Sequence, residues 1–131
     1  MPEAFDPFWV QSCEKAPRDR EAMATLIQKA KKLYKFRRSR EAAFADATLF
    51  SDPAWDMLLG LYIDEGERRG TQVSAACIWS TAAPTTGLRY VDRMVRLGIV
   101  NRTPDPFDAR RYYISLSRAS HDQITRLLSL D

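Results

Sequence analysis

Apolar and polar positions alternate with helical spacing along the stretch PTTGLRYVDRMVRL, residues 84–97. Pro84 suits the first position of a helix, because the N–H that proline lacks would have no partner there. Apolar residues then recur at intervals of three and four, which is typical of a helix face that packs inward. The inward positions predicted by this spacing are Leu88, Val91, Val95 and Gly98.

The opposite side of this helix is small and hydroxylated near its N-terminus and cationic further along, with one carboxylate at Asp92. Such a face suits the major groove of DNA, where the N-terminal residues of a recognition helix reach the base edges. The side chains predicted on this outer face are Thr85, Thr86, Arg89, Tyr90, Arg93 and Arg96. Tyr90 is equally compatible with a place in the core.

A shorter helix is predicted immediately upstream, over residues 72–80, with Thr71 as its N-cap. Thr81-Ala-Ala then forms a turn, so the two helices make a helix-turn-helix. Gly87 lies inside the second of them, where glycine costs about 1 kcal/mol relative to alanine. It either permits a close backbone approach or weakens the helix, and the sequence does not decide between these.

Two short β-branched and aromatic segments follow, Ile99–Thr103 and Arg111–Leu116, separated by the turn-rich loop Pro104-Asp-Pro-Phe-Asp. This pattern predicts a β-hairpin. Ser117 is placed to cap a final helix. The apolar stripe of that helix comprises Ala119, Ile124, Leu127 and Leu128.

Two further helices are predicted upstream, the first over about 19–40. Asp52 and Pro53 can cap and open the second, which is apolar over more than half its circumference and is therefore the expected core helix. Gly70 is the expected exit from it. Its last carboxylates, Asp64, Glu65 and Glu67, are expected to be solvated, and Phe44, Leu49 and Phe50 are expected to anchor the connector between the two helices.

The resulting fold class is mainly α with a small β-hairpin, α+β, and 131 residues are consistent with one domain. Residues 1–17 are acidic, contain proline and carry Phe5, Phe8 and Trp9, which predicts an irregular arm whose aromatic residues pack on the body or on a second subunit.

Positive charge is concentrated between Lys15 and Arg40, where ten Lys and Arg side chains face only two acids, Asp19 and Glu21. The net charge of the whole chain is only +3. A basic segment on a near-neutral body is typical of partner binding, with nucleic acid the commonest partner. A DNA-backbone role and a merely solvated face remain equally open for this segment.

Catalytic chemistry finds little support in the sequence. His121 is the only histidine and is expected to be exposed, and Cys13 and Cys77 lack the spacing of a metal site. There is no glycine-rich phosphate loop or nucleophile elbow. We therefore expect no enzyme activity, no metal and no cofactor. Cys77 is expected to be buried and reduced. Without an apolar segment of membrane-spanning length or a signal peptide, a cytoplasmic location is expected.

Two segments resemble a known family. Val91–Arg102, VDRMVRLGIVNR, is similar to the end of the recognition helix of MarR-type regulators as it passes into the first wing strand. Pro104–Arg111 and Tyr112–Ser117 resemble the wing and returning strand of that family. The resemblance covers roughly residues 54–128. It implies a winged helix-turn-helix domain, residues 18–131, with an N-terminal helix and a short C-terminal helix.

The resemblance also implies a function: a dimeric, sequence-specific transcriptional regulator that binds double-stranded DNA. Thr85, Thr86 and Arg89 would then reach base edges, and Arg93 and Arg96 would contact phosphates. In the wing, Arg110 and Arg111 would lie on the backbone or in the minor groove, with Asp108 orienting a wing arginine. The remaining predicted contact on the recognition helix is Tyr90.

Two alternatives accompany this interpretation. The chain could instead be a winged-helix module that docks another protein and has little affinity for DNA. A small aromatic effector is also compatible with the family resemblance. Tyr34, Phe50 and Trp55 could line a cleft for it, although aromatic residues at these spacings are more often part of the core.

Overall fold

The computed structural model describes residues 17–44 and 48–130. The predicted N-terminal arm, including Phe5, Phe8 and Trp9, lies outside the described residues, as does Cys13. Within the described ranges the chain forms five helices and three strands. They are α1 (Pro17–Ala43), α2 (Pro53–Gly66), β1 (Thr71–Gln72), α3 (Val73–Ser80), α4 (Pro84–Arg96), β2 (Val100–Pro104), β3 (Tyr112–Leu116) and α5 (Arg118–Leu128).

The start of α2 confirms its predicted capping. The Asp52 side chain accepts a hydrogen bond from the backbone N–H of Trp55 at 3.3 Å, and Pro53 occupies the first turn. Behind this start, α2 supplies the centre of the core, with Met57, Leu59 and several following side chains fully buried. The prediction that α2 is the core helix is therefore confirmed.

The exit from α2 differs from the prediction. The helix ends at Gly66, and the left-handed backbone conformation is adopted by Arg68, with φ of 61°, whereas Gly70 was expected to supply it. Hydrogen bonds hold this exit: the Arg68 N–H donates to the Glu65 carbonyl, and the Arg69 N–H donates to the Asp64 carbonyl. Such contacts satisfy helix-end carbonyls that would otherwise have no partner.

Two carboxylates at the end of α2 are buried, which corrects the prediction of a solvated helix end; only Glu67 of the three is exposed. Asp64 Oδ2 accepts hydrogen bonds from the Thr71 hydroxyl at 2.8 Å and from Trp79 Nε1 at 2.9 Å. Glu65 Oε1 accepts the backbone N–H of Leu116 at 2.8 Å. These partners replace water, which lowers the cost of burying the two side chains.

Thr71 is not the N-cap of α3, contrary to the prediction. Thr71–Gln72 forms a short strand that pairs antiparallel with β3, and α3 starts after Gln72 without a side-chain cap. The sheet therefore has three strands in the order β1-β3-β2, one more than the predicted hairpin. The Thr71 hydroxyl serves Asp64 instead of the helix terminus.

The helix-turn-helix forms as predicted over α3 and α4. Thr81 takes a left-handed conformation, φ 58°, in the turn, and Pro84 opens α4. A Cβ added at Gly87 would lie 3.0 Å from Cys77 Cβ and Sγ, so Gly87 permits a close approach between the two helices. Cys77 is buried, as expected.

The inward face of α4 is rotated from the predicted one. Its buried residues are Gly87, Val91 and Met94, whereas Leu88 is 45% exposed and Gly98 is exposed. Gly87 lies on this buried face, where a Cβ would come within 3.0 Å of Cys77 on α3.

A Schellman motif ends α4 and leads into the hairpin. The Ile99 N–H donates to the Met94 carbonyl, the Gly98 N–H donates to the Val95 carbonyl, and Gly98 has φ of 73°. β2 then pairs with β3 from Val100↔Leu116 to Pro104↔Tyr112. The predicted hairpin is thus confirmed: β2 is shifted by one residue, and β3 begins one residue later than predicted.

Helix α5 begins at its predicted cap, since the Ser117 hydroxyl accepts the Ser120 N–H at 3.1 Å. Ile124 and Leu128 are buried as predicted, but Leu127 is 49% exposed. His121 is buried, contrary to the expectation, because its ring stacks on that of Tyr62 at a centroid distance of 4.9 Å. Burial lowers the pKa of His121.

Glu65 gives the protein a specific dependence of stability on pH. Burial raises the pKa of Glu65 to about 8, with a further contribution from the Asp64 carboxylate and an opposing one from the Leu116 N–H. The pKa of Glu65 is near 4.5 in the unfolded chain and about 8 in the folded protein. At a pH between these two values, the folded protein therefore binds one proton more than the unfolded chain. Stability conferred by this group is lost as pH rises through that window.

We expect Glu65→Gln to remove this dependence, because glutamine cannot ionise. Relative to the variant, the wild-type free energy of unfolding should fall between pH 5 and pH 8 by up to about 1.4 kcal/mol per pH unit. Urea unfolding across this range measures the difference. Glu21→Gln, on the exposed side of α1, is the control and should follow the wild type. Parallel curves for wild type and Glu65→Gln would contradict the prediction.

Candidate nucleic-acid interface

The outer face of α4 carries most of the predicted contact residues. Thr85, Thr86, Arg89, Arg93 and Arg96 are all exposed, and their spacing places them along one side of the helix. Among the described residues, none of the three arginines forms an ion pair. This surface therefore presents three uncompensated positive charges. Two exposed apolar residues border this surface: Leu88 on α4, and Leu97 directly after the helix, which is 64% exposed.

Tyr90 lies differently from the other predicted contacts. It is half-buried and packs against the hydrophobic core, at the border of the exposed face. The core placement that the sequence left open for Tyr90 is therefore the better description.

The N-terminus of α4 has no side-chain cap. Ala83 occupies the N-cap position and has no side-chain hydrogen bond to offer, and Pro84 is followed by two exposed threonines. Uncapped N–H groups at a helix N-terminus favour an anionic partner, because the helix dipole adds to their partial positive charge. In α4 this electropositive end adjoins the hydroxyl groups of Thr85 and Thr86.

An ion pair joins the outer face of α4 to the hairpin. Arg102 Nη2 on β2 donates to Asp92 Oδ1 on α4 at 3.3 Å, and the Arg102 guanidinium lies 5.3 Å from the centroid of the Tyr112 ring. The exposed surfaces of α4 and β2 therefore adjoin. Sequence reasoning did not select Arg102 as a site residue. All residues of β2 after Val100 are exposed, and this is the signal that could have identified Arg102.

The loop between β2 and β3 holds its two arginines through one carboxylate. Asp108 Oδ1 accepts the backbone N–H and the Nε–H of Arg110, each at 3.1 Å, and Oδ2 lies 3.5 Å from Arg111 Nε. These hydrogen bonds lower the pKa of Asp108. The predicted contact between Asp108 and a wing arginine is present. Arg110 nevertheless keeps 90% of its side chain exposed.

The basic segment of α1 is not the surface that its sequence suggested. Arg37 is buried, and Arg37 Nε and Arg38 Nη2 each donate to the fully buried Asp56 carboxylate of α2, the second at 2.6 Å. Arg40 donates to the Phe50 carbonyl at 3.0 Å. These three arginines therefore connect α1 to α2 and to the loop before α2. They belong neither to a DNA-backbone contact nor to a merely solvated face, the two alternatives that the sequence left open for this segment.

Other parts of the segment and its connector also depart from expectation. Lys31 pairs with Glu67 at 3.1 Å, whereas Lys32 and Lys35 are exposed. Phe44 and Leu49, which were expected to anchor the connector, are 65% and 72% exposed. The cations of α1 that face solvent are therefore mainly lysines.

A cavity of about 460 Å³ opens between α1, α3 and the segment after α2. The Tyr34 hydroxyl donates to the Trp79 carbonyl at 2.7 Å, and the two rings meet edge to face at 4.9 Å. Of the predicted cleft residues, Tyr34 lines this cavity, whereas Trp55 and Phe50 do not. Its lining comprises Tyr34, Asp64, Arg69, Gly70, Ala75, Ile78 and Trp79.

Several solved structures are similar to this chain in their fold. The chain is similar to the transcriptional regulator Tm0710 from Thermotoga maritima, at 21% identity over 83% of this chain and 66% of that one, with a TM-score of 0.49. A mutant of MepR from S. aureus matches at 14% identity over 76% and 67% of the two chains, with a TM-score of 0.51. PefR from Streptococcus agalactiae in complex with heme matches at 16% identity over 86% and 71%, with a TM-score of 0.50.

No protein-family model and no curated protein matches the chain. The MepR and PefR structures show that it has the winged helix-turn-helix fold of MarR-type proteins, which confirms the fold predicted from the sequence. The chain spans about two thirds of the length of Tm0710 and MepR, at 66% and 67%. Within the described ranges, no helix is both long enough and apolar enough to cross a membrane.

The ion pairs of Asp56 generate a stability prediction. We expect Asp56→Ala to lower the free energy of unfolding by about 3–5 kcal/mol, because it leaves the buried Arg37 without its counter-charge. Arg38 loses one of its two carboxylate partners and keeps Glu41, at 2.8 Å. Asp92→Ala is the matched control: it breaks the exposed pair with Arg102 and should cost no more than about 1 kcal/mol. Chemical denaturation of both variants provides the measurement. Equal, small losses would contradict a fastening role for Asp56.

Proposed function

We propose that this chain is a sequence-specific, DNA-binding transcriptional regulator. The observation that carries the proposal is the row of three uncompensated arginines on the exposed face of α4, beside a hairpin whose loop presents two more. A cationic helix face with an electropositive N-terminus is complementary to the major groove and its phosphates. The comparisons support the fold on which this proposal rests.

In this proposal the N-terminal part of α4 reads bases. Arg89 can bond bidentately to guanine, and Thr85 and Thr86 can contact a thymine methyl group or a phosphate. Arg93 and Arg96, one and two turns further along, contact phosphates and fix the register. Tyr90 contributes to the interface only through its exposed edge.

The dimensions of the wing agree with a contact in the neighbouring minor groove. β2 has five residues, which span about 17 Å in an antiparallel strand. One turn of DNA is about 34 Å, so the next groove on the same face lies about 17 Å away. With α4 in the major groove, Arg110 and Arg111 can thus reach the backbone or the minor groove, oriented by Asp108.

We also propose the bounds of the domain and the oligomeric state of the protein. The winged helix-turn-helix domain spans residues 18–131. The protein acts as a homodimer, because a two-fold symmetric protein matches a palindromic site.

A small aromatic effector is a second part of the proposal, and the cavity beside Tyr34 and Trp79 supports it. PefR is a heme sensor protein, so a protein of this fold can hold a small molecule that it senses. A ligand in the cavity would contact Trp79 and Asp64, which bond to each other and connect α3 to α2. Such a ligand could therefore shift the helix-turn-helix relative to the core.

One alternative function has a specific observation in its favour. Leu88 on α4 and Leu97 directly after it are exposed, one on each side of the row of arginines, which suits a module that docks another protein. Binding of pooled genomic fragments across a salt series separates the two functions. Phosphate contacts predict a steep loss of affinity with salt, and selection of a two-fold symmetric site supports the regulator. No binding at low salt would favour the docking module.

Arg89→Ala should weaken binding to the selected site by about 1–3 kcal/mol, with a smaller loss on random DNA, because a base contact discriminates between sequences. Competition binding with labelled duplexes measures both affinities. Lys35→Ala, an exposed cation on α1, is the control and should change neither. Equal losses on specific and random DNA would exclude a base-reading role for Arg89.

Arg110→Ala should leave the free energy of unfolding unchanged within about 0.5 kcal/mol, since the side chain is almost wholly exposed. DNA affinity should fall, and the slope of log affinity against log salt should decrease by about 0.9, the effect of one lost phosphate contact. Arg20→Ala on α1 controls for general loss of positive charge. Unchanged affinity would rule out a wing contact through Arg110.

A further inference from the structure

The loop of the wing exposes a large apolar side chain at its tip. Phe107 is 81% exposed, more than any other large hydrophobic residue in the described part of the chain. Single exposed apolar residues are normal on protein surfaces, so exposure alone implies no role. The construction of the loop around Phe107 is what distinguishes it.

Four hydrogen bonds fix the backbone on both sides of Phe107. The Asp105 N–H donates to the Arg111 carbonyl and the Arg111 N–H donates to the Asp108 carbonyl, both at 3.0 Å. Asp105 Oδ1 accepts the Phe107 N–H at 2.8 Å, and Asp108 Oδ1 accepts the Arg110 N–H at 3.1 Å. The loop thus satisfies these backbone groups internally and fixes the backbone that carries the exposed ring. This lowers the entropy lost when the ring is buried against a partner.

The charged residues nearest to Phe107 are Asp105 and Asp108, whose carboxylates accept hydrogen bonds from within the loop. The more exposed charges of the loop are cationic, and these indicate the chemistry of the partner. Arg110 follows in the same loop with a 90% exposed side chain, and Arg111 comes next at 59%. An apolar ring beside cations matches a duplex, whose phosphates flank the stacked and apolar faces of its bases. Proteins that bind the minor groove use this combination, with arginine or lysine along the groove and an apolar wedge between two base pairs.

We propose that Phe107 is such a wedge: it enters the minor groove beside the site read by α4 and partly unstacks one base step. The inference rests on the proposed DNA-binding function and adds to it a bend in the bound DNA. Unstacking is easiest at pyrimidine–purine steps. The wing would therefore favour a TA or CA step at a fixed distance from the bases that α4 contacts, and Phe107 would determine part of the specificity.

The distinguishing experiment uses the full chain and the duplex selected from genomic fragments. Donor and acceptor dyes at the two DNA ends report bending, and 2-aminopurine at the proposed step reports unstacking. The variants are Phe107→Ala and Phe107→Leu, which keeps an apolar side chain. Phe36→Ala is the matched control, because Phe36 is also exposed, at 66%, but lies on α1.

Wild-type protein should bend the duplex and raise 2-aminopurine fluorescence. Phe107→Ala should lose both signals and bind roughly tenfold more weakly, as expected when one stacked aromatic contact is removed. Phe107→Leu should keep most of the bend, and Phe36→Ala should match the wild type. An unbent duplex with wild type, or equal bending and affinity with Phe107→Ala, would overturn the wedge and leave the proposed function intact. Absence of wild-type binding to any duplex would instead overturn the proposed function itself.

Discussion

The arrangement of the helix-turn-helix and the wing depends on two adjacent carboxylates at the end of the core helix. Asp64 accepts hydrogen bonds from Thr71 and from Trp79, and so connects α2 to β1 and to α3. Glu65 accepts the Leu116 N–H and connects the same helix end to the base of the wing. Burying a polar atom without a hydrogen-bond partner costs free energy, so these donors lower the cost of burying both side chains. Glu65 lowers that cost further by binding a proton below its raised pKa of about 8. The geometry of the exposed interface is thereby set from inside the domain.

Local chemistry made much of this fold predictable. Asp52 and Ser117 cap helices within three residues of their own positions, so the sequence near each contains the whole signal. The hairpin and α4 follow for the same reason, from strand and helix periodicity. Buried charge was not predictable in this way. Arg38 and Asp56 are 18 residues apart, and Glu65 and Leu116 are 51 residues apart. Charged residues are usually exposed, so without knowledge of these distant partners the sequence predicts that they face solvent.

In the candidate interface, too, features set by local sequence were predictable and features set by distant contacts were not. Arg89, Arg93 and Arg96 were predicted to be exposed because cations are exposed by default and helical spacing groups them. In the rotation that exposes Leu88, Gly87 lies against Cys77 on α3, a contact that no local pattern describes. Arg102 was missed because its partner, Asp92, lies on a different element.

The glycine that ends α4 constrains how this architecture can change. Gly98 adopts a left-handed conformation, and β2 begins only two residues later, so helix and wing are joined without a flexible linker. Any side chain at this position would strain that junction. The distance between the exposed face of α4 and the loop of the wing consequently depends on the length of the hairpin. Side chains alternate between the two faces of a strand, so each strand must lengthen by two residues to keep the same side chains facing outward. Two further residues in each strand would therefore extend the wing by about 7 Å and keep Arg110 and Arg111 at its tip.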